Sequence, residues 1–301
     1  ERISLISETM LSNLSKSYLN DREILVILDG LDDILRYKKN KMDIIASMIR
    51  SADYINDIML QKHQKIKIIL LIREDIIRLI NDPDLNKIIQ DGSVSLTWNK
   101  RLNDLKELIV KRFELSGLTS QEASCCWETM FPKRIRNKNS WDYILEYTLY
   151  KPRDILQFLK YCQSEYPSHN KLTLSETQNV LKVYSSRYFV EEMKNELSGF
   201  IDDELIISIP SVFRRLGGRA FDVAEINRLT NEHISREITI NETKIELEYL
   251  FEAGYIGQLV SNGKGKKGSV IFKYRNPTAR IDYYQRFITH KGLHIGLGVR
   301  L

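Results

Sequence analysis

Cysteine is scarce in this chain, with three in 301 residues. Cys125 and Cys126 are adjacent and Cys162 stands alone, which excludes a disulfide framework and offers no metal-ligand spacing. A reducing, cytoplasmic compartment is the natural expectation. No apolar run approaches the roughly 20 residues needed to span a bilayer, and the first residues have no signal-peptide pattern, so no membrane partner is expected. Gly-Lys-Ser/Thr occurs nowhere, which leaves the sequence without a phosphate loop of that type. There is no nucleophile elbow and no serine or cysteine triad. The five histidines are scattered, and His290 and His294, although a helical turn apart, have Gly292 between them and no third ligand nearby, so zinc is not expected. Internal repeats and low-complexity segments are also absent. The chain begins at Glu1 rather than Met, so a longer parent protein is expected.

What is present is ordinary in bulk and specific in detail. A hydrophobic share of 43% and a charged share of 28% are those of a globular protein. The net charge of +5 arises from 45 bases interspersed with 40 acids, which permits an anionic partner without requiring one. Residues 24–33 read ILVILDGLDD, an aliphatic run ending in a carboxylate, a glycine and two more carboxylates. Such a run predicts a strand buried on both faces of a parallel sheet, with Asp29 at its carboxyl end, where open α/β sheets hold ligands. Residues 67–72 (KIILLI) predict a second buried strand ending at Arg73, and residues 93–98 (SVSLTW) a third, more alternating one. Helical spacing at residues 3–18 and 41–61, and a short helix at 75–80, complete an α/β unit with crossover helices.

Beyond Arg101 the pattern becomes helical. Residues 102–115, 120–130, 141–148, 153–161 and 175–197 predict helices, the last marked near its start by the Ser-Glu-Thr-Gln of residues 175–178. Residues 202–216, 222–230 and 243–253 predict three more, with Gly217 and Gly254 placed as helix-ending glycines. Strands at 255–260 and 269–274 come next. Three helices and then a β-hairpin is the order of a winged-helix domain. The expected division is therefore 1–101, 102–198 and 199–301. Gly263, Gly265 and Gly268 match a dinucleotide fingerprint literally, but the loop joins two strands instead of opening a helix. It reads as a basic hairpin tip, solvated or touching nucleic acid through Lys264, Lys266 and Lys267.

The strand ends, together with KPRDILQFL at residues 151–159, resemble STAND-type P-loop ATPases of the AAA+-related class. The resemblance implies α/β plus α architecture: a partial parallel P-loop-type sheet, a helical lid and a C-terminal winged-helix domain. In that class the strand at residues 24–33 is Walker B, and the loop that binds triphosphate lies upstream of it, outside this sequence. The resemblance implies ATP and Mg²⁺ as cofactors, with Asp29 positioning the metal, usually through water. It places Asp32 and Asp33 beside the attacking water, although Asp33 fits a helix N-terminal charge equally well. Arg73 becomes a γ-phosphate sensor, or else a salt-bridge partner of Glu74 or Asp75. Lys151, Pro152 and Arg153 become the lid motif that contacts nucleotide. The lid and the FKYRNPTARID tail are also similar to prokaryotic ATPases of antiviral (phage) defence.

The function implied is an ATP-binding or ATP-hydrolysing switch that couples nucleotide state to domain arrangement, self-association (an oligomer) or an attached effector. The alternatives are a winged-helix regulator associated with DNA and a non-catalytic scaffold. Residues 243–252 (TKIELEYLFE) carry three glutamates against one lysine, a poor sign for phosphate contact, so nucleic acid is only weakly supported as a partner.

Overall fold

The structure is a computed structural model that describes residues 9, 12–13, 23–31, 42–80, 82–96, 98, 104–260 and 268–299. The chain forms two compact units, Glu1–Leu96 and Thr97–Leu301. The expected helix at 3–18 and the wing lysines 264, 266 and 267 lie outside the described residues, apart from residues 9, 12 and 13.

In the first unit, β1 (Ile24–Leu28) and β2 (Ile66–Leu70) run parallel, paired from Ile24 opposite Ile66 to Leu28 opposite Leu70. Their connection contains α1 (Met42–Gln61), which buries Ile45, Ala46, Ile49, Ala52 and Met59, a one-sided helical stripe. Asn56 of α1 accepts from the Ile68 N–H at 2.7 Å and donates to the Ile68 carbonyl at 2.9 Å, satisfying one step of the strand as a neighbouring strand would. Two helices come after β2: α2 (Glu74–Leu79) and α3 (Pro83–Gly92). The second starts where its sequence dictates, with Asp82 as N-cap accepting from the Asp84 N–H and Pro83 in the first turn.

Two expectations need correction here. The side chains of β1 are not buried: Leu25 is 56% exposed, Ile27 55%, and the other three 36–39%. A two-stranded sheet gives each strand one neighbour, and no described strand pairs with the far edge of β1. The third strand is also missing. Residues 93–96 lie outside any strand, and Val94 and Leu96 are 86% and 80% exposed. An alternating sequence fits a pleated surface, but no described strand offers it a ladder, and the Ser93 N–H instead donates to the Ile89 carbonyl at 3.2 Å at the end of α3.

The second unit begins with α4 (Asp104–Leu115) and α5 (Ser120–Met130), then a small hairpin, β3 (Arg134–Ile135) and β4 (Lys138–Asn139). It continues through α6 (Ser140–Leu145), α7 (Pro152–Glu165) and α8 (Leu174–Tyr184) into a π-helical turn (Ser185–Phe189) and α9 (Val190–Leu197). Thr119 and Thr173 begin α5 and α8 with full capping boxes to Glu122 and Glu176. The start of α8 therefore lies just ahead of the Ser-Glu-Thr-Gln signal, at the threonine. Next come α10 (Asp203–Leu216), α11 (Val223–Asn231) and α12 (Ile240–Ala253), the first and last closed by left-handed Gly217 and Gly254. An antiparallel sheet in the order β6 (Ser269–Phe272), β5 (Ile256–Val260), β7 (Arg286–Thr289) packs with them, extended by a bridge between Phe221 and Phe287. Helix α13 (Lys291–Gly296) is the last described element.

One continuous apolar core runs from Leu105 to Leu297. The segments expected as a separate lid and a C-terminal domain are therefore one body. One close seam within it is α13 on the π-helical turn. The Gly296 N–H donates to Ser185 Oγ at 2.7 Å, and Ser185 Oγ donates in turn to the Gly292 carbonyl. Helical turns of this wide kind admit an inserted group, here the backbone of α13. No described helix is long and apolar enough to cross a membrane.

Candidate functional site

The in-register parallel pairing of β1 and β2 brings their carboxyl ends side by side, and this places two predicted residues. Asp29 directly follows β1. It is exposed, and its Oδ1 accepts from the Gly30 N–H at 2.7 Å, in a turn where Gly30 holds φ 76°, a left-handed conformation that suits glycine. Arg73 lies three residues past β2 and is the N-cap residue of α2. Asp29 and Arg73 thus emerge at the same end of adjacent strands. Asp32 and Asp33 lie outside the described residues.

A magnesium ion fits this acid on chemical grounds. Mg²⁺ is bound through one or two carboxylates together with waters and substrate phosphates. A site built wholly from protein ligands does not fit, because no group of three or more His, Cys, Asp or Glu among the described residues could hold a metal.

Lys151, Pro152 and Arg153 lie in the second unit, at the start of α7, with Lys151 as N-cap residue and Pro152 first in the helix. Proline there loses no hydrogen bond, since the first-turn amides have no helical partner. The two basic side chains meet acids of α9. Lys151 Nζ pairs with Glu196 Oε1 at 2.5 Å and Arg153 with Glu192 Oε1 at 3.2 Å, and the Arg153 side chain remains 71% exposed. Beneath them Asp154 is fully buried, accepting from the Leu149 N–H at 2.7 Å and the Tyr188 hydroxyl at 3.2 Å. Burial pushes its carboxyl up to about 6, against the opposing pull of Lys151 and the Leu149 amide. Tyr150, just before the motif, holds φ 57°, an uncommon conformation for a non-glycine residue.

Sequence reading missed the partners of this motif: Glu192, Glu196 and Tyr188, together with the buried Tyr184 and Tyr255. The Tyr184 and Tyr255 hydroxyls and Glu196 Oε2 have no hydrogen-bond partner of acceptable geometry among the described residues, although Tyr255 approaches Glu196. The only sequence signal was the helical spacing of Glu192 and Glu196 on the stretch 175–197.

The histidine pair is structural. His290 Nδ1 accepts from the Gly292 N–H at 3.0 Å, so the neutral ring donates from Nε2 to the Tyr274 hydroxyl oxygen, also 3.0 Å away. Burial pulls His290 down to about 3.

Residues 103–191, under a third of the chain, match the family described as the FunZ-associated C-terminal helical domain. This match covers α4 to α8 and the π-helical turn. Across 99% of its length the chain is also 22% identical to a protein described as the putative 80.3 kDa protein of transposon gamma-delta in Escherichia coli (strain K12). It spans 43% of the length of that curated relative. No solved structure matches the chain.

Proposed function

We propose that this chain supplies one part of an ATP-binding switch of the STAND or AAA+ kind. The observation that carries this reading is the pair of parallel strands, β1 and β2, that deliver Asp29 and Arg73 to one sheet end. In this proposal Asp29 positions the magnesium ion that bridges the phosphates, and Arg73 stabilises charge on the γ-phosphate. Asp32 and Asp33 retain their proposed place beside the attacking water. The phosphate-binding loop is supplied by another part of a longer protein. The exposed aliphatic residues of β1 and the 93–96 segment support this, since no strand among the described residues covers either.

Lys151 and Arg153 are proposed to exchange their α9 carboxylates for nucleotide phosphate. An ion pair as exposed as Arg153–Glu192 contributes only about 0–1 kcal/mol, so its release costs little. Because a single core runs through the second unit, a response to nucleotide there would involve that unit as a whole. The consequence is a change in self-association or in an attached effector.

A DNA-associated role is the second reading, supported by the description of the E. coli relative as a transposon protein. Helix α12, third in the proposed winged-helix domain, does not support it as a DNA-reading helix. Its outward positions include Asn241, Ile245 and Glu248, and none of them is basic.

The test is phosphate release by the full-length parent protein with Mg²⁺ and ATP. Asp29→Ala is expected to lower turnover about a hundredfold or more while leaving the melting temperature unchanged, because the side chain is exposed. Turnover equal to that of the parent would remove Asp29 from the metal site.

A further inference from the structure

The hairpin β3–β4 carries a one-sided basic surface in the second unit. Lys133, Arg134, Arg136 and Lys138 fall within six residues that contain no acid, and all four are exposed. Between the arginines, Ile135 is 0% exposed. Strand alternation therefore pins Ile135 in the core and turns Arg134 outward, and Arg136 is exposed in the turn that follows. The hairpin is firmly held: the Ser140 N–H donates to the Lys133 carbonyl at 3.3 Å, the Trp127 indole donates to Ser140 Oγ at 3.1 Å, and Asn139 caps α6.

The cations of this hairpin differ from others in the same unit. Arg153, Arg187, Arg215, Arg219, Arg228 and Arg236 are all paired with carboxylates. The side chains of Lys133, Arg134 and Arg136 make no hydrogen bond or ion pair with any described residue. Among the described residues Glu146 is the acid that engages the patch, and it is shared between Lys138 and Lys291. Arg136 adds an independent observation. It holds φ 52° in the two-residue turn between Ile135 and Lys138, a position that favours glycine. No backbone preference and no hydrogen bond or ion pair with a described residue accounts for an arginine there, although its charge acts on the buried Tyr147 hydroxyl, and strain of this kind points to a use outside the fold.

We propose that this hairpin contacts the phosphate backbone of duplex DNA. A two-stranded ribbon has the dimensions to enter or straddle a major groove, and guanidinium groups match phosphate oxygens bidentately. The proposal does not depend on the nucleotide reading of the strand ends or on α12.

The experiment is fluorescence anisotropy of a labelled random-sequence duplex titrated with the protein over a range of salt concentrations. Lys133→Ala/Arg134→Ala/Arg136→Ala is compared with Lys160→Ala/Lys171→Ala/Lys182→Ala, which removes the same charge from exposed sites elsewhere. The hairpin variant is expected to bind about tenfold more weakly or worse, with the salt slope reduced by about 2–3, and the control to stay near the parent. Arg136→Gly separates structure from binding. Glycine suits φ 52°, so the melting temperature should hold or rise while affinity falls a few-fold. Equal weakening in both triple variants, no change with Arg136→Gly, or binding to phosphatidylserine vesicles or single-stranded RNA but not to duplex DNA would each overturn the proposal.

Discussion

Glu246 illustrates how burial changes what a residue means. In the sequence it counts as one of three glutamates on a would-be recognition helix. In the structure it is 1% exposed, and one of its carboxyl oxygens has no partner among the described residues. Burial pushes its pKa up to about 8, so the folded chain holds this proton where the unfolded chain has released it. An acid raised in this way contributes its full stability below the ordinary glutamate range, and that contribution is lost as pH rises towards 8. Urea unfolding at pH 5 and pH 9 should therefore show Glu246→Gln losing about 2–4 kcal/mol less than the parent over that interval. Parallel pH profiles would show that the carboxyl is solvated. Of the other two glutamates, Glu252 pairs with Lys273 and only Glu248 faces outward. The weakness of α12 as a DNA reader thus rests on which positions point outward more than on the charge count.

At the level of elements, long amphipathic helices were legible and short or irregular pieces were not. Helix α5 occupies the expected residues, and α10 and α12 differ by a few at their starts, because helical spacing and end signals are local. Helix α3 was missed although Asp82 and Pro83 announce it. The two-residue strands β3 and β4 are too short to show alternation, and β7 gains its strand identity from β5 and Phe221. The π-helical turn has no sequence signature, and its cause is the approach of α13. That seam is testable. A Cβ on Gly292 would lie 2.5 Å from the Tyr147 carbonyl oxygen and 2.7 Å from Phe189. Gly292→Ala should cost about 2–3 kcal/mol in urea unfolding, whereas Gly117→Ala, which meets nothing within 4 Å, carries only its backbone strain. Equal losses at the two sites would mean that α13 is not tightly seated.

For the whole molecule, the division between Leu96 and Thr97 lies near residue 101, where the spacing turns helical, and one apolar core runs across residue 198. Helix periodicity does not reveal whether α4–α9 and α10–α13 share a core, and only packing could join them. A fragment of residues 97–301 should unfold in one cooperative step with a melting temperature within about 5 °C of the full chain, since it keeps its whole core. Two separated transitions within this fragment would restore the lid and the C-terminal domain as independent bodies. The first unit alone is expected to be the weaker one, because every side chain of β1 is at least 36% exposed.

The sequence by itself determined the strand at residues 24–28 with the acid after it, the second strand leading to Arg73, and the helix opened by Pro152. Each is set by near neighbours, through periodicity, capping and the fixed φ of proline. Only the tertiary structure decided that Lys151 and Arg153 meet Glu196 and Glu192, partners 45 and 39 residues away. It also decided that Glu246 faces the core and that the Arg134 and Arg136 side chains form no hydrogen bond or ion pair with a described residue. Such outcomes depend on which surfaces the core brings together, and no local spacing carries that information.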